Sequence, residues 1–323
     1  MNRMNSFLAL AVLLLLSPKL EANPWSFAVA GDDRTDVRAA KVDPTGIHSE
    51  ILTKLMQSLS AQKPSFLLFT GDLVYGDSIR IAHAIAEQFT DWEKLVSMYA
   101  PDLVILPVRG NHETNGDPEG ASWLKSFEPS LTKFGVCYFP GQKGFSYYYV
   151  VPEHPNTAVI ALDQYNPAAP HQVDLKGLEA ALKELKAKGV TNIFVYAHEE
   201  AFTSGCHPDA DNMASHPTER DKFLELLRSY GCQYLFVGHD HFYDWMEIRN
   251  WRWPNDYALN QIVAGTAGAP FYPDKTYFGS HDGYDLVRLD HKQNTYGYLL
   301  VTVNDQNKEG KKPVDVTFVP INP

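Results

Sequence analysis

Short apolar runs alternating with stretches of helical period restrict the fold of this chain more than any other feature. Ser26 to Ala30, Ser65 to Thr70 and Leu103 to Val108 are runs of strand type. Between the first two, Ile47, Ile51, Leu55 and Leu59 recur every four residues, the mark of a helix with one apolar stripe. Ile79 to Tyr99 reads as a second helix. The resulting β-α-β-α-β order predicts a mostly parallel sheet with helices on its faces.

Further along the pattern changes. Phe145 to Val151 and Thr157 to Leu162 flank the five residues Pro152 to Asn156, a spacing that predicts a hairpin. Leu175, Leu178, Leu182 and Leu185 share one face of a helix expected over Val173 to Lys188 and closed by Gly189. A strand at Asn192 to Ala197, a helix at Thr218 to Ser229 and a strand at Tyr234 to Val237 come next. From Phe242 to Val319 short strands and turn residues dominate. No stretch rich in Pro, Gly or Ser divides the chain. Residues 23–323 therefore read as one domain in which a second, largely antiparallel sheet packs on the first.

Ahead of that domain stand ten apolar residues, Phe7 to Leu16, behind Arg3. They fall short of the about 20 residues that span a bilayer. With Leu20-Glu21-Ala22 behind them they read as a secretory signal peptide over residues 1–22, the other reading being an uncleaved anchor. The expectation is a secreted or periplasmic protein with no stable membrane anchor. Cys137, Cys206 and Cys232 allow at most one disulfide, and three ordinary thiols fit as well. The 323 residues carry 28 Lys+Arg against 39 Asp+Glu, a net charge of -11. Such a balance offers polyanions no electrostatic footprint, so nucleic acid is not an expected partner. Nothing in the sequence sets an oligomeric state.

Chemistry gathers where the strands stop. Five strand-type runs end on Gly or a small turn followed by a carboxylate, an amide or an imidazole. They are Gly31-Asp32, Gly71-Asp72, Gly110-Asn111-His112, Ala197-His198 and Gly238-His239-Asp240-His241. Open α/β sheets place ligand sites beyond the carboxyl ends of their strands, so these donors would converge on one place. The set suits two metal ions about 3.5–4 Å apart, and its mixture of donors favours iron, zinc or manganese over calcium or magnesium. Singly, each residue has an ordinary explanation: an Asp after a strand caps a turn, and a lone His is commonly structural. Gly238-His239-Asp240-His241 is harder to dismiss, because alternate residues of an extended segment point the same way.

Gly71-Asp72, Gly110-Asn111-His112-Glu113, His198 and Gly238-His239-Asp240-His241 resemble the blocks of the calcineurin-like metallophosphoesterases. More finely, Gly71-Asp72-Leu73-Val74-Tyr75 and Val195-Tyr196-Ala197-His198 are similar to the GDxxY and VxxH blocks of the purple acid phosphatases. Ile262 to Pro270 resembles the stretch after the last block in that group. The resemblance implies an α/β fold of four layers, an αββα sandwich of two mixed sheets flanked by helices, with a dinuclear metal site at the C-terminal strand ends.

It also implies roles. Asp72 would bridge two ions; Asp32, His241 and an ionised Tyr75 would hold the first, and Asn111, His198 and His239 the second. The pair would be ferric iron with ferrous iron, zinc or manganese, since a phenolate suits ferric iron, or alternatively two divalent ions. His112 would face the substrate beside Asn111 and act as general acid, while Glu113 would orient a neighbouring imidazole. The expected activity is hydrolysis of small-molecule phosphate monoesters by a metal-bound hydroxide. The alternatives are a phosphodiesterase acting on nucleotide or lipid-headgroup diesters and, from another class, a non-catalytic binder of phosphorylated ligands.

One block departs from the resemblance. Where the purple acid phosphatases have GDxG and other members have Asp-x-His, this chain reads Gly31-Asp32-Asp33-Arg34. Arg34 cannot ligate a cation; it either forks onto a substrate phosphoryl oxygen or pairs with Asp33 or Asp36. His207 and His216 read as solvated loop residues or as leaving-group contacts. The segments Phe145 to Tyr149 and Trp251 to Trp253 read as walls of a cleft for an aromatic ester or as ordinary strand packing. Residue 202 is Phe, so His198-Glu199 does not begin an HExxH zinc helix, and GxSxG, GxxxxGK(S/T) and GxGxxG are all missing.

Overall fold

The computed structural model describes residues 24–205, 207, 212–274, 279–304 and 313–322; the expected signal segment and Cys206 lie outside them. The chain begins β1 (Trp25–Ala30), α1 (Ser49–Gln62), β2 (Leu67–Phe69), α2 (Ile85–Tyr99), β3 (Ile105–Pro107), α3 (Asn111–Thr114) and α4 (Ala121–Phe134). It continues through β4 (Cys137–Tyr138), β5 (Tyr147–Val150), β6 (Thr157–Ala161), β7 (Tyr165–Asn166), β8 (Ala169–Pro170), α5 (Leu175–Ala187) and β9 (Asn192–Tyr196). Then come α6 (Pro217–Ser229), β10 (Tyr234–Val237), β11 (Tyr243–Asn250), β12 (Leu259–Ala264), β13 (Gly279–His281), β14 (Tyr284–Lys292), β15 (Tyr296–Val303) and β16 (Val314–Ile321).

Five strands form one sheet in the order β16-β15-β1-β2-β3, nine form a second in the order β13-β14-β11-β12-β10-β9-β6-β5-β4, and β7 and β8 pair by themselves. β1, β2 and β3 run parallel in the first sheet, as do β6, β9, β10 and β12 in the second. Antiparallel strands extend each parallel core. Alternation along β9 shows the layering: Phe194 and Tyr196 face the five-stranded sheet, while Ile193 and Val195 face α5 and α6. Phe27 of β1 meets Phe194 and Phe236 at ring-centroid distances of 5.0 and 6.1 Å, so the sheets pack face to face there. Leu55 and Leu59 of α1, with Ile47 ahead of it, are buried on the first sheet, and Leu178, Leu182 and Leu185 of α5 on the second. These are the stripes that the sequence periodicity marks. The α/β sandwich of two mixed sheets flanked by helices is present.

Three details differ from the sequence reading. The carboxyl-terminal third does not build a separate antiparallel sheet. Its β11, β13 and β14 extend the nine-stranded sheet, whereas β15 and β16 cross to the five-stranded one, where β15 pairs with β1. Helix α2 starts at Ile85 instead of Ile79, because Arg80 ties the preceding turn to the carbonyls of Val37 and Ala39. Glu87 then accepts the Ala84 N–H at 2.9 Å and opens the helix. Helix α4 escapes the sequence reading: its buried Trp123, Phe127 and Leu131 are four apart, but Pro129 interrupts the pattern. Cys137 and Cys232 are free thiols, the first exposed and the second buried.

Beneath the strand ends one ion pair clamps the two sheets. Arg109, just past β3, donates from Nε and Nη2 to both carboxylate oxygens of Asp163, just past β6, at 2.9 Å each. The side chains are 3% and 2% exposed. Removing one partner strands a buried charge, so Arg109→Ala should lose about 3–5 kcal/mol of stability. Urea denaturation measures the loss, and Arg109→Met combined with Asp163→Leu should recover most of it.

Candidate metal centre

Every parallel strand that carries a predicted donor ends at the same edge of the sandwich. β1, β2 and β3 lead to Asp32, Asp72 and Asn111, while β9 and β10 lead to His198, His239 and His241. Asp32, Asp72 and His239 have left-handed backbones, with φ of 63°, 53° and 69°. Such strain in non-glycine residues persists only where the surroundings impose it. The loops interlock tightly. A Cβ on Gly71 would lie 2.6 Å from His198 Nδ1 and 2.7 Å from the Gly110 nitrogen, and a Cβ on Gly110 would lie 2.1 Å from Asp72 Oδ1. Both positions therefore require glycine.

His239 and His241 do not share one side of an extended segment. The Asp240 N–H donates to Gly238 O and the Phe242 N–H to Asp240 O, a tight double turn. This turn sends the two imidazoles to opposite halves of the site. His239 joins Asn111 and His198. Asn111 Oδ1 stands 3.1 Å from His198 Nε2 and 3.2 Å from His239 Nδ1, and the two ring nitrogens are 3.2 Å apart. Asp72 Oδ1 lies 3.5 Å from His198 Nε2.

His198 donates its Nδ1–H to Thr70 O at 2.7 Å, which leaves Nε2 as a lone pair. That lone pair and the Asn111 oxygen, 3.1 Å apart, repel each other unless positive charge lies between them. Adjacent ligands of one cation, with bonds of about 2.1 Å at right angles, stand ~3.0 Å apart. The donor set fits a metal ion.

The other half is built on Asp32 and His241. His241 donates Nδ1–H to Pro270 O at 2.6 Å and brings Nε2 to 3.5 Å from Asp32 Oδ1. Ligand atoms of Asp32, Asp72 and His198 fall within 4.8 Å of one another. Burial and the neighbouring Asp72 carboxylate push the Asp32 carboxyl well above its usual range. Burial also acts on Asp72, but His112, His198 and Arg34 outweigh it and hold that carboxyl low.

Tyr75 stands at this side, its ring 4.8 Å from that of His112 and 5.6 Å from the Arg34 guanidinium. Arg34 pairs with neither Asp33 nor Asp36, the latter being held by Arg38 at 3.2 Å. Its Nε lies 3.8 Å from Asp72 Oδ2, and its Nη2 donates to the Tyr272 hydroxyl at 2.7 Å. Tyr272, which the sequence reading missed, stacks on His241 at 4.1 Å; it lies in a turn-rich loop with no motif to mark it.

His112 donates Nδ1–H to Tyr75 O at 2.7 Å and leaves Nε2 3.9 Å from Asp72 Oδ2. Burial pulls its pKa down to about 4 against the opposing Asp72 charge. A phosphate dianion at Nε2 would reverse that shift. Glu113 orients no imidazole. Its carboxylate accepts the N–H groups of Gly110, Asp72 and Val74 at 2.6, 2.9 and 3.2 Å, stapling the β2 and β3 loops together. Burial and Asp72 raise its pKa to about 8.

His207 is not a solvated loop residue: it stacks on His239 at 3.7 Å and meets Asp240 Oδ1 at 2.9 Å through Nδ1. His216 stacks at 6.2 Å on His171, which pairs with Glu199 at 2.7 Å. Tyr147 is ordinary packing, its hydroxyl 2.8 Å from Pro107 O. Trp251 sits past the far end of β11, whose eight residues separate it from the site by about 25 Å at strand rise.

The model of the calcineurin-like phosphoesterases matches residues 45–243. The chain belongs to this family. The match starts after Asp32 and Arg34, so the departing block lies outside it. No curated protein matches the sequence.

Solved structures resemble this calcineurin-like phosphoesterase in fold. A purple acid phosphatase from yellow lupin (Lupinus luteus) seeds is 13% identical with a TM-score of 0.60, over 88% of this chain and 50% of that one. The chain thus spans about half the length of the lupin protein. GAP50, the anchor in the inner membrane complex of Plasmodium, is 14% identical with a TM-score of 0.54, over 92% and 84%. A dimetal phosphatase from Danio rerio is 14% identical with a TM-score of 0.50, over 93% and 100%. At these identities the likeness is one of fold. Among the described residues, no helix of this family member is long and apolar enough to cross a membrane.

Proposed function

We propose that this chain hydrolyses small-molecule phosphate monoesters with two metal ions held at the junction of its sheets, as a secreted or periplasmic protein. The cluster of Asn111 Oδ1, His198 Nε2 and His239 Nδ1, mutually 3.1–3.2 Å apart, carries the reading. In it, Asp72 would serve both ions, Asp32, His241 and Tyr75 would hold the first, and Asn111, His198 and His239 the second. Bound there, the ions would lower the pKa of water and neutralise charge on the phosphoryl oxygens.

The side chains do the rest. His112, oriented by Tyr75 O through its Nδ1–H, presents Nε2 to the leaving oxygen and supplies its proton. Asn111, its oxygen turned to the imidazoles, has its amide N–H groups left for the phosphate. Arg34, held by Tyr272, offers its guanidinium to a phosphoryl oxygen.

Turnover of p-nitrophenyl phosphate against its bis ester, with metals assayed on the same sample, tests the proposal. Faster turnover of the monoester is the expected result. A preference for the bis ester would make the protein a diesterase, and bound metal without turnover would make it a binding protein. Ferric iron at Tyr75 would colour the protein, and Tyr75→Phe would bleach it; a colourless active protein would point to two divalent ions.

A further inference from the structure

The two halves of the centre are unequal. Around Asn111, His198 and His239 the facing atoms are lone-pair donors, the Asp72 carboxylate lies beside them, and the His207 ring stacked on His239 is itself paired with Asp240. Around Asp32 and His241 a cation already belongs to the protein. Arg34 is 6% exposed, and its guanidinium lies against Asp72, over the Tyr75 ring and under the hydroxyl of Tyr272, whose own ring covers His241. Its Nε is buried and has no hydrogen-bond partner. A guanidinium does not deprotonate in a protein, so this charge is permanent. A metal ion entering between Asp32, Asp72 and His241 meets it at short range in a poorly solvated site, where like charges repel far more strongly than in water.

We propose that Arg34 stands in for part of the first ion. The protein holds one ion tightly at Asn111, His198, His239 and Asp72, and binds the other at least about 100-fold more weakly. The guanidinium supplies positive charge to the phosphoryl oxygens on that side. This rests on the metal-dependent reading above and deepens it, because the residue that departs from the Asp-x-His and GDxG blocks becomes a working part of the centre.

Zinc is the probe. The purified protein is stripped, reloaded and dialysed, its zinc counted per chain, and the second equivalent titrated by calorimetry. The expected result is one retained zinc and a second bound at least about 100-fold more weakly. Arg34→His, which restores an imidazole, and Arg34→Gly should both tighten the second site by a similar factor, with circular dichroism confirming the fold. Two equally tight zinc ions in the unaltered protein, or no tightening in either folded variant, overturn the proposal. The count on the unaltered protein needs no variant, so it decides the matter even if both variants misfold. Two tight ions together with phosphate ester turnover would leave the hydrolase standing while removing the role of Arg34. Failure to bind any zinc would remove both.

Discussion

Asp72→Ala is expected to release metal and end turnover together, by at least about three orders of magnitude. That loss corresponds to several kcal/mol of charge stabilisation at the phosphoryl group. Asp72 reaches both halves: its Oδ1 lies 3.5 Å from His198 Nε2, and ligand atoms of Asp72, Asp32 and His198 fall within 4.8 Å of one another. Its conformation is enforced by the left-handed backbone at φ 53°.

The control is Asp72→Asn, which keeps an oxygen to accept the His112 N–H that Asp72 Oδ1 accepts at 3.0 Å. Added zinc should raise the melting temperature of the unaltered protein, since a ligand bound only by the folded state stabilises it. Both variants should lose that rise. Without metal they should melt somewhat lower at neutral pH, because His112, His198 and Arg34 hold the Asp72 carboxyl low and the buried Arg34 loses its facing carboxylate. A variant that keeps the rise on adding zinc, or that still turns over, would overturn this role for Asp72.

His112→Ala should separate what Asp72→Ala joins. Metal content is expected to stay at the unaltered value, while turnover of an alkyl phosphate falls about 10²–10⁴-fold, the usual contribution of a positioned acid. With p-nitrophenyl phosphate the fall should be much smaller, since that leaving group departs without a proton. The dependence on leaving group distinguishes proton donation from a general disturbance. The geometry motivates the test: Nδ1–H is committed to Tyr75 O, so only Nε2 remains for the substrate. Equal losses on both esters, or loss of metal, would count against His112 as the acid.

The strand ends and the donors they carry were legible in the sequence because short-range rules govern them. A buried parallel strand is a short apolar run, and the turn after it needs Gly where loops cross, as at Gly71 and Gly110. The stripes of α1 and α5 were legible for the same reason. The features that stayed hidden depend on tertiary approach. Tyr272 reaches Arg34 across 238 positions, and no local pattern announces such a partner. His207 looks like a polar loop residue until the turn at Gly238 brings His239 beneath it. Glu113 sits beside the donors of its block, yet its task is to gather backbone amides from two loops, which only the parallel pairing of β2 and β3 reveals. The crossing of β15 and β16 to the other sheet was hidden as well, because strand pairing partners are not written into strand patterns.

Donors hang from both sheets, so the distance across the seam is a dimension of the hydrophobic interior. Phe27 and Phe66 stack at 5.1 Å, and Phe27 rests edge-on against Phe194 at 5.0 Å. These rings act as shims between two plates. Phe27 lies five residues before Asp32, about 16 Å along the strand, yet its volume helps to set how far the carboxylates of one plate stand from the imidazoles of the other. A thinner shim brings the plates together and shortens every cross-seam spacing without altering a single donor. The choice of ion in such a sandwich is thereby open to adjustment from its oily middle, where mutations leave no mark on the motifs by which the centre is recognised.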